Sequence, residues 1–364
     1  MNFYMPVKLY TGRNCLSDHR DELAKLGKNC LIITGGSSAK KCGALGDLET
    51  VLQELGIKHT LFDRVSSNPA VSACCDAGKL AAASGCDFLI GVGGGSALDA
   101  AKAASVFATN PEMTEAEFYS GKWKNRPLSV ALIGTTAGTG SEVTKVAVLT
   151  DSKKLKHSIH DDLLYASVSF GDPLYTMSMP SRITLSTGVD VLAHCAESYF
   201  SKKANEFSRM FSLQGISMLL SPLSSAADGT ELTYTQREQL YNASIMGGMA
   251  INITGTCFPH NIGYYLTENC GVPHGFASAV FFPDLMEHVK KSVPEVTEAF
   301  YRGLGVSETE LSSFFDHVMP ELQIEINREH LFSVLPKWEN NGSVKNTLGT
   351  VTVDDIARYF KKFT

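Results

Sequence analysis

Asp190 and His194 stand four residues apart in the run Gly188-Val189-Asp190-Val191-Leu192-Ala193-His194. On a helix, that spacing puts both side chains on one face, one turn apart. The neighbours are apolar, so the helix reads as buried, and a buried polar pair needs compensation. His260 follows Phe258-Pro259, and His274 lies in Val272-Pro273-His274-Gly275, again among apolar and small residues. Any one of these residues alone is most simply a hydrogen-bonded core or surface group. Together they offer one carboxylate and three imidazoles, a set suited to a divalent transition ion, with Fe²⁺ or Zn²⁺ first. A single carboxylate leaves such a centre net positive, ready for an alkoxide or carbonyl oxygen. The ion would act as a Lewis acid and lower an alcohol's pKa.

Two loops have the composition of anion cradles. Gly91-Val92-Gly93-Gly94-Gly95-Ser96 follows an apolar run and opens the pattern Ala97-Leu98-Asp99-Ala100-Ala101-Lys102. Glycines allow close backbone approach to a diphosphate, and the N–H groups and dipole of a helix start hold the anion. Ser96 could cap that helix or bond a phosphate oxygen. The spacing is not the GxGxxG of the common dinucleotide fingerprint. The second loop, Thr135-Thr136-Ala137-Gly138-Thr139-Gly140-Ser141-Glu142, has hydroxyls and glycines suited to ribose and phosphate. Either loop alone could be a structural turn; two in one domain point to a dinucleotide.

The elements that must position these groups follow from periodicity. Apolar runs at 30–34, 60–62, 87–92 and 128–133 read as strands. They alternate with helical patterns at 44–55, at 70–84 and from 96, which predicts a parallel sheet covered on both faces. Beyond 180, helical patterns dominate at 187–200, 206–220, 235–253 and 278–291, and residues 353–362 form a short terminal helix after the loop 340–343. The expected architecture is an N-terminal α/β dinucleotide-binding domain, 1–175, and an all-α metal-binding and substrate domain, 176–364, with the boundary near Asp172-Pro173.

A net charge of −6 on 364 residues, with no basic run, argues against nucleic acid or an anionic membrane as partner. Nine scattered cysteines, an odd number, read as reduced thiols of a cytoplasmic protein. No apolar stretch is long enough to span a bilayer, and residues 1–10 have no signal-peptide core.

With these residues in place, the chain resembles the iron-containing (group III) alcohol dehydrogenase family. The resemblance rests on GVGGGSALDAAK (91–102), TTAGTGSEVT (135–144), STGVDVLAHCAES (186–198) and GVPHGFASAVFFP (271–283). It implies a dehydroquinate synthase-like fold and Asp190, His194, His260 and His274 as metal ligands. It also implies a diphosphate site at Gly94, Gly95 and Ser96, with Asp99, Thr135, Thr136, Thr139 and Thr144 along the cofactor. Asn68 matches a loop near the adenosine and Lys156 a lysine near the cofactor ribose. Many members carry a histidine four residues after the third ligand, in a proton relay; here that position is Tyr264. The implied activity is hydride transfer between a nicotinamide cofactor and a small alcohol or aldehyde, in a homodimer. The segment 3–9 is expected to pair as a strand with its symmetry mate.

The cofactor type is read after the first strand of the α/β pattern. NAD enzymes often place an acid there to accept from the ribose hydroxyls. Here the run is Gly35-Gly36-Ser37-Ser38-Ala39-Lys40-Lys41, with no acid. Its glycines leave space, Ser38 offers a hydroxyl, and the run resembles that of NADP-linked members, so NADP is expected in preference to NAD. Two enzymes of related fold are alternatives: a glycerol dehydrogenase-type zinc enzyme, and a dehydroquinate synthase-like lyase. The lyase would need more cleft lysines and arginines than Lys145 and its few companions. A non-catalytic binding protein is the third alternative, although all four ligands and both loops are intact.

Overall fold

Residues 29–34, 88–93 and 129–134 become strands because every second side chain has apolar cover on each side. A computed structural model describes residues 3–363. Its strands are β1 (Lys8–Thr11), β2 (Asn29–Thr34), β3 (Lys58–Phe62), β4 (Phe88–Gly93), β5 (Ser129–Gly134), β6 (Val146–Thr150), β7 (Lys156–His160) and β8 (Val168–Gly171). Six form one parallel sheet in the order β1-β8-β5-β4-β2-β3, while β6 and β7 pair as an antiparallel hairpin. Leu31, Ile33, Leu89, Val130 and Leu132 face one core; Cys30, Ile32, Phe88, Ile90, Val92, Ala131 and Ile133 face the other. This is the doubly covered arrangement that parallel strands require.

The principal helices of this unit are α1 (Ala44–Glu54), α2 (Val71–Ala83) and α3 (Gly95–Thr109). Helix α3 is alanine-rich and nearly all buried, and its small side chains let it lie close on the sheet. A Cβ on Gly91 would come within 2.8 Å of Ala101 Cβ, and one on Gly78 of α2 would run into Phe107. Adjacent strands are in register at their carboxyl ends: Thr34 pairs with Val92, and Gly93 with Gly134. The chain runs from β2 outward to β3, then returns past β2 to β4. That reversal places a topological switch point between β2 and β4, where α/β sheets receive ligands.

The chain divides into two compact units between Met179 and Pro180, and residues 233–241 are counted with the α/β unit. The helical unit contains α4 (Ser181–Tyr199), α5 (Glu206–Ala227), most of α6 (Tyr234–Thr254), α7 (Phe258–Cys270) and α8 (His274–Ala279). Further helices include Phe282–Ser292, Pro294–Leu304, Glu308–Val318 and Val353–Phe360. The single helix expected over 278–291 is therefore corrected to two. Pro283 sits in the first turn of the later helix, where a missing N–H costs nothing but from which the preceding helix cannot continue. No helix among the described residues is long and apolar enough to cross a membrane.

Candidate metal centre and cofactor loops

Asp190 and His194 lie on α4, where residues 188–199 are all buried. His260 is the third residue of α7 and His274 the first of α8. Small residues let these helices converge. A Cβ on Gly275 would run into the carbonyl of Ser186 on α4, and one on Gly263 into that of Ala277. Any larger residue at 275 would push the first turn of α8, and His274 with it, off α4.

The result is a cluster in which ligand atoms of Asp190, His260 and His274 all lie within 4.8 Å of one another. Asp190 Oδ1 is 3.3 Å from His260 Nε2 and 3.9 Å from His274 Nε2. The His194 ring stacks on His260 with centroids 4.5 Å apart. Three of the four expected ligands, Asp190, His260 and His274, are thus brought together; His194 packs its ring against His260 and is not among the residues whose ligand atoms converge. Burial opposes ionisation of Asp190, but His194, His274 and His260 outweigh it and hold the carboxyl well below the usual range.

The residues present fit a divalent ion. Asp190 Oδ1 and His260 Nε2 are buried, face each other, and neither has a hydrogen-bond partner. Ligand bonds of roughly 2.0–2.2 Å put two donors of one ion about 3–3.7 Å apart, which brackets the 3.3 Å separation. Sequence reasoning missed a neighbour. Glu197, fully buried, accepts a hydrogen bond from His260 Nδ1 at 2.5 Å. It follows His194 by three residues and Asp190 by seven, a helical periodicity that was there to be read. Asp190 remains the one carboxylate of the cluster itself, and Glu197 is a second acid that reaches it through His260. Burial alone would lower the His260 pKa, but Glu197 and Asp190 reverse this and raise it to about 10. Burial raises the Glu197 carboxyl, with His260 and the N–H of Cys257 pulling it back down.

Tyr264, one turn beyond His260, stacks on the His274 ring with centroids 5.5 Å apart and planes at 25°. It therefore lies beside the cluster, half-buried.

Gly35, Ser38, Gly94, Gly95, Ser96, Thr135, Thr136 and Thr139 follow the carboxyl ends of β2, β4 and β5, while Asn68 follows β3 and Lys156 lies in the β6–β7 hairpin. The N-cap of α3 is Gly94, which corrects the expectation for Ser96: it is the second helical residue and makes no cap. A Cβ on Gly94 would come within 3.0 Å of Thr136, and one on Gly95 within 2.6 Å of Thr139, so the two loops are in contact. Gly94, Gly95, Ser96, Thr136 and Thr139 are partly exposed, whereas Thr135 and Thr144 are buried. The Asp99 carboxylate accepts from Ser141 Oγ at 2.6 Å and from the Val148 N–H at 2.9 Å. Lys156 opens β7 opposite Thr150, whose hydroxyl donates to the Asn68 carbonyl. Asn68 has φ +56°, a left-handed turn that asparagine tolerates. Ser38 Oγ reaches the Gly35 carbonyl at 3.4 Å. Gly35 was read as giving space to a phosphate, but a Cβ there would meet the Val65 carbonyl at 2.7 Å, so backbone packing already demands glycine.

Lys102 is the second residue that sequence reasoning passed over. Fully buried, its Nζ is within 3.3 Å of the carbonyls of Ser141, Thr144 and Val146 and the hydroxyls of Ser141 and Thr144. Burial lowers its pKa to about 8 against the pull of Asp99 and Glu142, so at neutral pH an ammonium ties the second loop to α3. Its signal was the i,i+3 spacing from Asp99 in an otherwise apolar helix.

Residues 6–173 match the family model described as iron-containing alcohol dehydrogenase, and residues 184–329 match that of the family's C-terminal domain. The chain belongs to the iron-containing alcohol dehydrogenase family. It is 34% identical over 302 residues to 1,3-propanediol dehydrogenase of Citrobacter freundii, covering 81% of this chain and 76% of that one. It is 30% identical to the NADPH-dependent butanol dehydrogenase of Clostridium saccharobutylicum, with coverage of 80% and 75%. The crystal structure of an iron-containing alcohol dehydrogenase from Thermotoga maritima superposes with a TM-score of 0.92 at 33% identity, covering 100% of this chain and 99% of that one. This iron-containing alcohol dehydrogenase relative is thus an oxidoreductase acting on CH–OH, and its parallel sheet and helical C-terminal region are those of the family.

Proposed function

We propose that Asp190, His194, His260 and His274 hold one divalent ion, Fe²⁺ first and Zn²⁺ next, and that the loops after β2, β4 and β5 hold NADP(H) in preference to NAD(H). The substrate is a small alcohol or aldehyde. The observation that carries the reading is the pair of unpartnered buried atoms, Asp190 Oδ1 and His260 Nε2, facing each other at 3.3 Å. When bound, the ion supplies Lewis acidity that makes an alcohol easier to deprotonate and a carbonyl easier to reduce, and the nicotinamide accepts or donates the hydride. The chain's own part is to orient: Asp190 sets the charge, the three imidazoles complete the donor set, and Tyr264 offers a hydroxyl for the alcohol's proton. Metal analysis, followed by NADPH oxidation with a panel of aldehydes from propanediol- and butanol-type chains to hydroxy- and carboxyaldehydes, tests the whole reading. A chain with stoichiometric metal that reduces none of them would sink it.

The Tyr264 role is tested by Tyr264→Phe, which keeps the ring on His274 and removes only the hydroxyl. We expect turnover to fall by about 10²-fold or more, the usual contribution of a positioned proton-transfer group. An unchanged rate and pH profile would make Tyr264 a packing residue.

Support for NADP comes from the exposed run Gly36-Ser37-Ser38 and Lys40-Lys41 after β2, which holds no acid. Arg64, which the β-bridge places opposite Gly35, adds a further cation beside that run. Because Gly35 is needed for close approach, the informative variant is Gly36→Asp. At Gly36 a Cβ would meet nothing within 4 Å, and its φ of +47° is one that Asp adopts. Its kcat/KM with NADPH should fall about tenfold or more, one to two kcal/mol of lost charge complementarity, while NADH use holds or rises. A wild type that prefers NADH refutes the preference.

The assembly we propose is a homodimer in the cytoplasm, consistent with nine free cysteines. β1 is an edge strand of its own sheet, and Phe3 and Tyr4 before it are exposed, so the segment 3–9 remains the proposed pairing edge. Light scattering at micromolar concentration should give twice the chain mass; the mass of one chain would overturn this.

A further inference from the structure

We propose that Glu197 is the positioning residue of the metal centre: its carboxylate fixes the tautomer and direction of the His260 ring so that Nε2 faces Asp190. This rests on the reading of the four residues as ligands. The argument begins with where the two oxygens go. Oε1 accepts from His260 Nδ1 at 2.5 Å, and Oε2 accepts from the backbone N–H of Cys257 at 2.7 Å. Cys257 is the N-cap of α7, and its Sγ donates to the Glu197 carbonyl at 3.2 Å. One buried side chain on α4 therefore holds both the start of α7 and the ring three residues into it. With Nδ1 committed as a donor, Nε2 is the nitrogen left to bind an ion, the arrangement in which an outer carboxylate orients a ligating histidine.

Glu197 is not the sole hold on this stretch of chain. Asn346 Nδ2 donates to the carbonyls of Thr254 and Thr256 at 3.0 Å, and Thr347 Oγ1 accepts from the N–H of Phe258 at 3.2 Å. Those bonds hold the segment before α7 independently of Glu197. Glu197→Gln then isolates the effect. Two N–H donors face this side chain, and a carboxamide has one oxygen to offer. Turned toward Cys257, it presents its NH₂ to Nδ1, driving the ring proton to Nε2 and blocking it. Turned the other way, it sets two donors against each other at Cys257.

The test is equilibrium competition against a chelator for Co²⁺ and Zn²⁺ on the stripped full-length chain, with the visible Co²⁺ spectrum and the metal-free unfolding transition recorded alongside. Glu197→Gln should bind each ion about 10–100-fold more weakly and shift the Co²⁺ bands, while its metal-free unfolding transition, though lowered, remains cooperative and shows a folded chain. Glu197→Asp, which keeps the charge but retracts it by one methylene, should weaken binding in the same direction and serves if the glutamine variant does not fold. Wild-type affinity and spectrum in the folded variants would overturn the proposal. A wild type that binds no ion, or an Asp190→Asn chain that binds it as tightly, would instead refute the ligand assignment on which the proposal rests.

Discussion

Asp190→Asn should leave a folded chain that retains almost no metal and turns over at least about 10³-fold more slowly, since Lewis-acid stabilisation is worth several kcal/mol and each 1.36 kcal/mol is tenfold in rate. Asp190 is the one carboxylate facing the imidazole nitrogens of both His260 and His274. Asparagine keeps its size and one oxygen but removes the charge that these imidazoles stabilise. Metal content by elemental analysis and kcat with added Fe²⁺ or Zn²⁺ are the two measurements. A variant with full metal and a rate within tenfold of the wild type would mean that Asp190 is not a ligand of the ion.

The second large effect is expected at Lys102. Lys102→Met fills much the same volume but removes the ammonium that serves five oxygens. The carbonyls of Ser141, Thr144 and Val146 lose this donor, and Asp99 loses the cation 4.0 Å away. Breaking a fully buried charge arrangement on one side costs about 3–5 kcal/mol, or on the order of 10 °C in Tm for a domain of this size. Because the loop it restrains carries Thr136 and Thr139, dinucleotide Kd should also rise by at least about tenfold, 1.4 kcal/mol. Thermal unfolding and cofactor titration decide it. Unchanged values in both would show that the loop is held by its own turns.

The strands that carry the loops were legible because they are apolar runs buried on both faces, and the loops themselves because glycine and hydroxyl residues follow those runs. β1, β8 and the hairpin β6–β7 were not. They are four or five residues long; β6 buries only alternate residues and β7 only Ile159, and β1 owes its conformation to pairing with β8 across most of the α/β unit. The four residues proposed as ligands were legible by type, since a buried Asp–His pair and two more histidines in apolar settings call for a common explanation. Glu197 and Lys102 were not picked out, although each sits at a helical spacing from a residue that was. A charged residue inside a helix pattern reads as solvated until burial is known. At Gly35 the structure adds a reason that the sequence did not offer, since the place of a Cβ is taken by the Val65 carbonyl.

The hydroxyl of Tyr241, in the part of α6 counted with the α/β unit, donates to the buried Glu142 carboxylate at 2.7 Å. Its ring also fills the place where a Cβ on Gly171 would stand. This has a consequence for the nascent chain. When Met179 is synthesised, every strand of the parallel sheet has been made, yet Glu142 still lacks its phenol. Tyr241 follows about sixty residues later, roughly 3–12 s at ordinary elongation rates. Through that interval the ribosome carries a sheet whose carboxyl edge is unplugged, and a fragment cut at the apparent domain boundary would stay in that state for good.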